Sequence, residues 1–176
     1  MAYLPFNDDD ILTLNEALDI AEDATGNFYK FSLGQWKRHR YDVKTLASLR
    51  ANEIAQQAFA LLNKGARSIS GFESKTKSRD FYFICLQDHQ IQKALERDKA
   101  LGFLPLLVYV FTHELIHIVR FCNFFQRFDV SGKVKDKEEA IVHETTFEVL
   151  KNIALPKLDY VLDSYQGHRI CDMVVS

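Results

Sequence analysis

The stretch FTHELIHIVRF, residues 111–121, sets two histidines four positions apart, His113 and His117, with Glu114 directly after the first and apolar residues on every side. Consecutive residues of an α-helix turn by about 100°, so positions i and i+4 point the same way one turn apart. The two imidazoles can therefore address one metal ion. Glu114 lies on the adjoining flank, where it can take a proton from a metal-bound water without binding the metal itself. This is the physical content of the HExxH pattern: two zinc ligands and a general base. Zinc lowers the pKa of its water towards about 7, and the glutamate removes the proton as that water attacks a carbonyl.

Outward from this stretch, the chain is nearly all apolar from Leu101 to Val119, long enough to cross a bilayer. Charged groups at membrane depth cost several kcal/mol, and no further span accompanies it. The run therefore reads as the buried core helix of a soluble protein, over about 103–127, with Pro105 in its first turn. The chain of 176 residues reads as one domain, 1–176, with no linker or repeat dividing it. Its 47% hydrophobic residues, including 14 Phe and 7 Tyr, supply a core, and a net charge of −2 gives no general polyanion-binding character. The short run Lys37-Arg38-His39-Arg40 reads as a solvated turn, so neither nucleic acid nor membrane is expected as a partner. Three widely spaced cysteines, Cys85, Cys122 and Cys171, form no CxxC pair and suit a reducing compartment. With no signal-peptide pattern at the N-terminus, the expected location is cytoplasmic.

The remaining elements follow from periodicity. Residues 8–24 read as a helix with acidic residues at its start, followed by a turn at Thr25-Gly26-Asn27; residues 28–41 are ambiguous. Residues 43–63, rich in Ala, Leu and Gln, read as a long helix stopped by Gly65. Residues 65–80 read as a polar loop, a lid or an insertion. FYFICLQ, residues 81–87, is aromatic and β-branched and reads as a strand. Short helices are expected at 88–99 and 157–164, and a helix at 136–154 ended by Pro156. The expected class is a predominantly helical α+β fold with a small sheet.

A catalytic zinc needs a third protein ligand and an open position. The helix after HELIH is the place to find it. There Ala140, His143, Phe147, Leu150 and Ala154 read as an inward stripe, with Glu139 one turn before His143 and Glu138 and Glu144 pointing outward. Either Glu139 or His143 completes the site. Asp136 and Glu139 also have the spacing of a helix capping box, and a histidine on an apolar face is often a core residue.

HELIH followed at a distance by a helix bearing a glutamate resembles the gluzincin group of zinc metallopeptidases. More narrowly, HELIH with EEAIVHETTFEVLKNIALP, residues 138–156, resembles the ImmA/IrrE-type peptidases. The resemblance covers about residues 108–156. It implies a compact zincin-like domain with a sheet beside the HExxH helix, Zn2+ held by His113, His117 and Glu139, Glu114 as base, and a peptide or protein substrate. The Asn and Phe-Ala that follow Glu-Ala in those peptidases are replaced here by Ile141, Val142 and His143. His143 stands at the spacing of a polar residue that orients a ligand histidine, or it replaces Glu139 as ligand. The implied substrate-binding edge strand falls on FYFICLQ, which reads equally as a plain core strand. Tyr109, Tyr160, Tyr165, His143 and His168 are candidate oxyanion donors, Tyr109 reading chiefly as core. Two other functions share these residues: a regulatory or scaffold protein whose four-ligand site is closed or inactive, and a helical interaction protein without metal. Substrate identity and oligomeric state are not encoded in any readable pattern.

Overall fold

In the computed structural model, the described residues are 4–31, 36, 41–67, 79–123, 128 and 130–165. The first element, α1 (Asp8–Phe28), starts from a closed capping box: the Asn7 side chain accepts from Asp10 N at 2.9 Å, and Asn7 N donates to Asp10 Oδ2 at 3.0 Å. It runs straight through the turn expected at 25–27. Gly26 is tolerated inside the helix because Trp36 packs on it: a Cβ there would lie 3.1 Å from Trp36 Nε1, which donates to Glu22 O at 3.1 Å.

The long helix expected over 43–63 is not formed. In its place come β1 (Tyr41–Lys44), two short 3-10 turns (Leu46–Ser48 and Ala51–Glu53) and β2 (Ala60–Arg67). Helical propensity lost to long-range partners. Gln87 donates to Glu53 O and accepts from Ala55 N, both at 2.8 Å, and Asp88 accepts from Leu46 N at 3.0 Å. These side chains satisfy backbone groups that a helix would have paired internally. Further on, Leu62 joins the main core while its neighbour Leu61 packs with Cys85 on the other face of the sheet. Both faces of that strand are covered, so no alternation betrayed it. Gly65 is not a helix stop but a β2 residue opposite Phe81, with the Phe83 ring 3.1 Å from where a Cβ would stand.

β3 (Arg79–Leu86) is the expected strand, but it is central: the order is β1-β3-β2, with β1 parallel and β2 antiparallel to it. FYFICLQ is therefore no edge. Its partners were hidden in a segment read as helical. Of the expected 65–80 loop, 65–67 and 79–80 belong to strands and 68–78 lie outside the described residues, as do the basic run 37–40, Cys171 and His168.

Helices α2 (Asp88–Arg97), α3 (Phe103–Cys122), α4 (Gly132–Leu150) and α5 (Leu158–Tyr165) complete the fold, which is predominantly helical α+β with a small three-stranded sheet. α1, α4 and α5 pack around α3, and Tyr82 of β3 stacks on Phe121 of α3 at 5.9 Å. Among the described residues α3 is the one helix long and apolar enough to cross a membrane, and 83% of its apolar window is buried inside the fold. Its hydrophobic surface is consumed by protein, as expected of a core helix.

α4 begins a turn earlier than expected, after Ser131 and with Gly132 at φ +63°, and stops at Leu150. Asp136 and Glu139 are thus interior and form no capping box. The inward face is also rotated. Glu138, Glu139, Val142, Thr146, Val149 and Leu150 are buried, whereas Ala140 is exposed and His143 half-buried.

Candidate metal centre

α3 carries Tyr109, His113, Glu114 and His117 on consecutive turns, all buried; His113 and His117 have no exposed surface at all. α4 delivers Glu139 and His143 to the same place. His117 Nε2 lies 3.1 Å from His113 Nε2, Glu139 Oε2 lies 3.3 Å from His113 Nε2, and Glu139 Oε1 lies 3.2 Å from His117 Nε2. The ring of His143 is 4.7 Å from that of His113, and its Nδ1 is 3.1 Å from the Tyr109 hydroxyl. All four expected ligand candidates are therefore brought together, with Glu114 adjoining.

With Glu139 ionised, protons on the two imidazoles leave a conflict. If both histidines donate from Nε2 to the carboxylate, two N–H groups face each other at 3.1 Å. If either imidazole is unprotonated there, its lone pair faces the carboxylate. A cation between the three groups would remove the conflict, as would a proton held by the carboxyl itself. Zinc–nitrogen bonds of about 2.0–2.1 Å set neighbouring ligands of a tetrahedron about 3.3–3.4 Å apart; the two histidine nitrogens stand near that separation, and each has one of the two Glu139 oxygens at a similar distance. A second set shares two of these residues: the ligand atoms of His113, Glu139 and His143 all lie within 4.8 Å of one another. In the set with His117 both imidazole nitrogens meet the same carboxylate at 3.2–3.3 Å, one to each oxygen, so it is the tighter cradle, with His143 beside it.

Charge follows the packing. Burial pushes His113 down to about 4, against the pull of the Glu139 carboxylate. Burial also opposes charge on His117, but the hydrogen bond and attraction of Glu139, with Glu114 near, outweigh it and raise its pKa. Glu139 pays for burial yet is held well below the usual carboxylate range by the two imidazoles. His143 is lowered, chiefly by burial. A metal ion held here would thus compete with a proton for the His117 nitrogen. Because the His117 pKa is raised, zinc affinity is expected to fall by about tenfold per pH unit as pH drops below that value, with protons released on binding. A second proton starts to compete only near pH 4, where His113 titrates. Chelator competition between pH 5.5 and 8 checks this slope; a flat profile contradicts it.

Two contributors escaped the sequence reading. Glu138, expected to point outward, is buried and grips Arg120 in a bidentate pair, Nε–Oε1 at 2.5 Å and Nη2–Oε2 at 2.9 Å. Arg120 stands three residues after His117, on the same side of α3, and Glu138 directly precedes Glu139. The pair locks the two site helices together and occupies one of two adjacent carboxylates, leaving the other for the histidines. The available signal was that i, i+3 spacing beside a doubled glutamate. Arg120→Met should destabilise the protein by about 3 kcal/mol, since it strands a buried carboxylate; Arg120→Met with Glu138→Leu should recover most of the loss. Urea denaturation measures both.

The remaining oxyanion candidates separate. Tyr109 is buried as expected and bonds His143. Tyr165 packs on Tyr109, ring centres 6.0 Å apart, whereas the hydroxyl of exposed Tyr160 is taken by Asp98 at 2.7 Å. Compared with protein families, with curated proteins and with solved structures, the chain finds no match in any of the three.

Proposed function

We propose that this chain is a zinc-dependent hydrolase, a metallopeptidase in its reaction class, with His113, His117 and Glu139 as ligands and Glu114 as base. The observation that supports this best is that His113 Nε2 and His117 Nε2, 3.1 Å apart, each meet one oxygen of the Glu139 carboxylate at 3.2–3.3 Å inside a buried, apolar helix pair. Zinc at such a site supplies Lewis acidity to a carbonyl and to water. The chain supplies the rest. Glu114, next to His113 and itself buried, takes the proton of the attacking water at its carboxylate and passes it to the leaving amine. Glu139 holds its charge at low pH and keeps the imidazoles aligned. The apolar wall from α3 excludes bulk water, which strengthens each of these electrostatic contacts.

The substrate we assign is a peptide or protein segment. β2 is an edge strand among the described residues and packs against α3, so an extended peptide can add to it by main-chain hydrogen bonds. The buried thiol of Cys85 agrees with a cytoplasmic setting. A second reading has one observation in its favour: His143, whose Nε2 is buried without a hydrogen-bond partner among the described residues, can act as a fourth ligand and close the site. Such a protein binds metal and hydrolyses nothing. Incubating the zinc-loaded protein with a mixed library of fluorogenic peptides separates the two. Cleavage that disappears with a chelator and returns with zinc supports the hydrolase. Full zinc occupancy with no cleavage supports the closed site.

A further inference from the structure

His143 has two ring nitrogens with different surroundings. Nδ1 is 3.1 Å from the Tyr109 hydroxyl, a buried phenol one turn before His113 on α3. Nε2 is buried and has no hydrogen-bond partner among the described residues. The ring stands 4.7 Å from the His113 ring. With Nδ1 engaged by the phenol, Nε2 is the nitrogen left to reach a metal ion.

We propose that Tyr109 is a positioning residue: its hydroxyl donates to Nδ1 of His143, fixes the imidazole as the Nε2–H tautomer and so keeps His143 out of the ligand set. This rests on the zinc site proposed above and decides between its open and closed forms. A neutral imidazole carries one N–H, and the hydrogen bond made by one nitrogen determines the state of the other. A phenol is a stronger acid than an imidazole N–H, so the O–H···N direction is the favoured one. A protonated Nε2 has no lone pair to give a metal. Three ligands then remain, His113, His117 and Glu139, and the fourth position stays with substrate. The same N–H is left pointing a donor at whatever occupies the neighbourhood. Metal-ligating histidines normally do the reverse, donating their second N–H to a carboxylate or carbonyl; His143 has a phenol there instead.

The test has two parts. In metal-free wild type, 15N NMR of the imidazoles reads the His143 tautomer, its signal assigned by its absence in His143→Gln. The Nε2–H form is expected; a dominant Nδ1–H form overturns the proposal. This part does not depend on zinc. If wild type binds no zinc, the hydrolase reading fails, and the tautomer still decides this one. The second part compares wild type with Tyr109→Phe by chelator competition and by the visible spectrum of the Co2+-loaded protein. Losing the phenol frees His143 to ligate, so zinc affinity should rise by about tenfold or more, the cobalt bands should shift, and hydrolysis should fall. A merely structural role for Tyr109 lowers affinity and activity together. Unchanged or weakened zinc binding with an unchanged cobalt spectrum overturns the proposal. If Tyr109→Phe does not fold, the wild-type tautomer carries the decision.

Discussion

Replacing Glu139 with alanine is expected to lower zinc affinity by roughly two to three decades while leaving most of the fold intact. The carboxylate is the only group on α4 within 3.3 Å of both His113 and His117 among the described contacts. Removing one partner of a buried charged cluster costs about 3–5 kcal/mol, and each 1.4 kcal/mol is about a decade in affinity. His143→Ala is the control. If His143 lies outside the ligand set, its loss changes affinity by no more than about tenfold, the scale of an outer-shell contact. Chelator competition on the two variants ranks the residues directly. Equal, severe losses in both indicate four ligands and a closed site. A severe loss in His143→Ala alone moves the third ligand from Glu139 to His143.

Glu114→Gln should abolish most hydrolysis, by about 10²–10⁴-fold, yet leave zinc bound. The substitution keeps the size and buried position of the side chain, which is 1% exposed, and removes its capacity to take a proton. Glu114 is expected to act on water and not as a ligand, so metal affinity should move by only a few-fold. The comparison of turnover with zinc content in one preparation checks this. Loss of zinc together with activity assigns Glu114 a ligand role instead; retained activity removes it as the base.

HELIH and the apolar run around it were legible because the spacing of one helix determines what its side chains can jointly reach. Glu139 was legible only in part. Its relation to His143, one turn away, holds in the structure, but the stripe used to orient α4 was rotated. Ala140 is exposed where it was expected to be inward, and Glu138 is buried where it was expected to be outward. The reason is Arg120. A charged residue on α3 makes a carboxylate the best inward residue at position 138, and a hydrophobic stripe cannot register that choice. The segment 43–63 failed for a related reason. Its backbone partners, Gln87 and Asp88, stand more than 30 residues away along the chain, so Ala- and Leu-rich composition pointed to helix while tertiary hydrogen bonds and a doubly covered strand decided otherwise. The same misreading hid β2, and with it the central place of β3. The Tyr109–His143 contact had no sequence signal beyond two residues on facing helices.

The most direct test is the metal content of purified wild-type protein, by elemental analysis after zinc is supplied and the excess removed. The account predicts about one zinc per chain, lost on treatment with a strong chelator and regained on adding zinc. No retained zinc contradicts it, and returns His113, Glu114, His117 and Glu139 to a buried polar cluster that serves the fold alone.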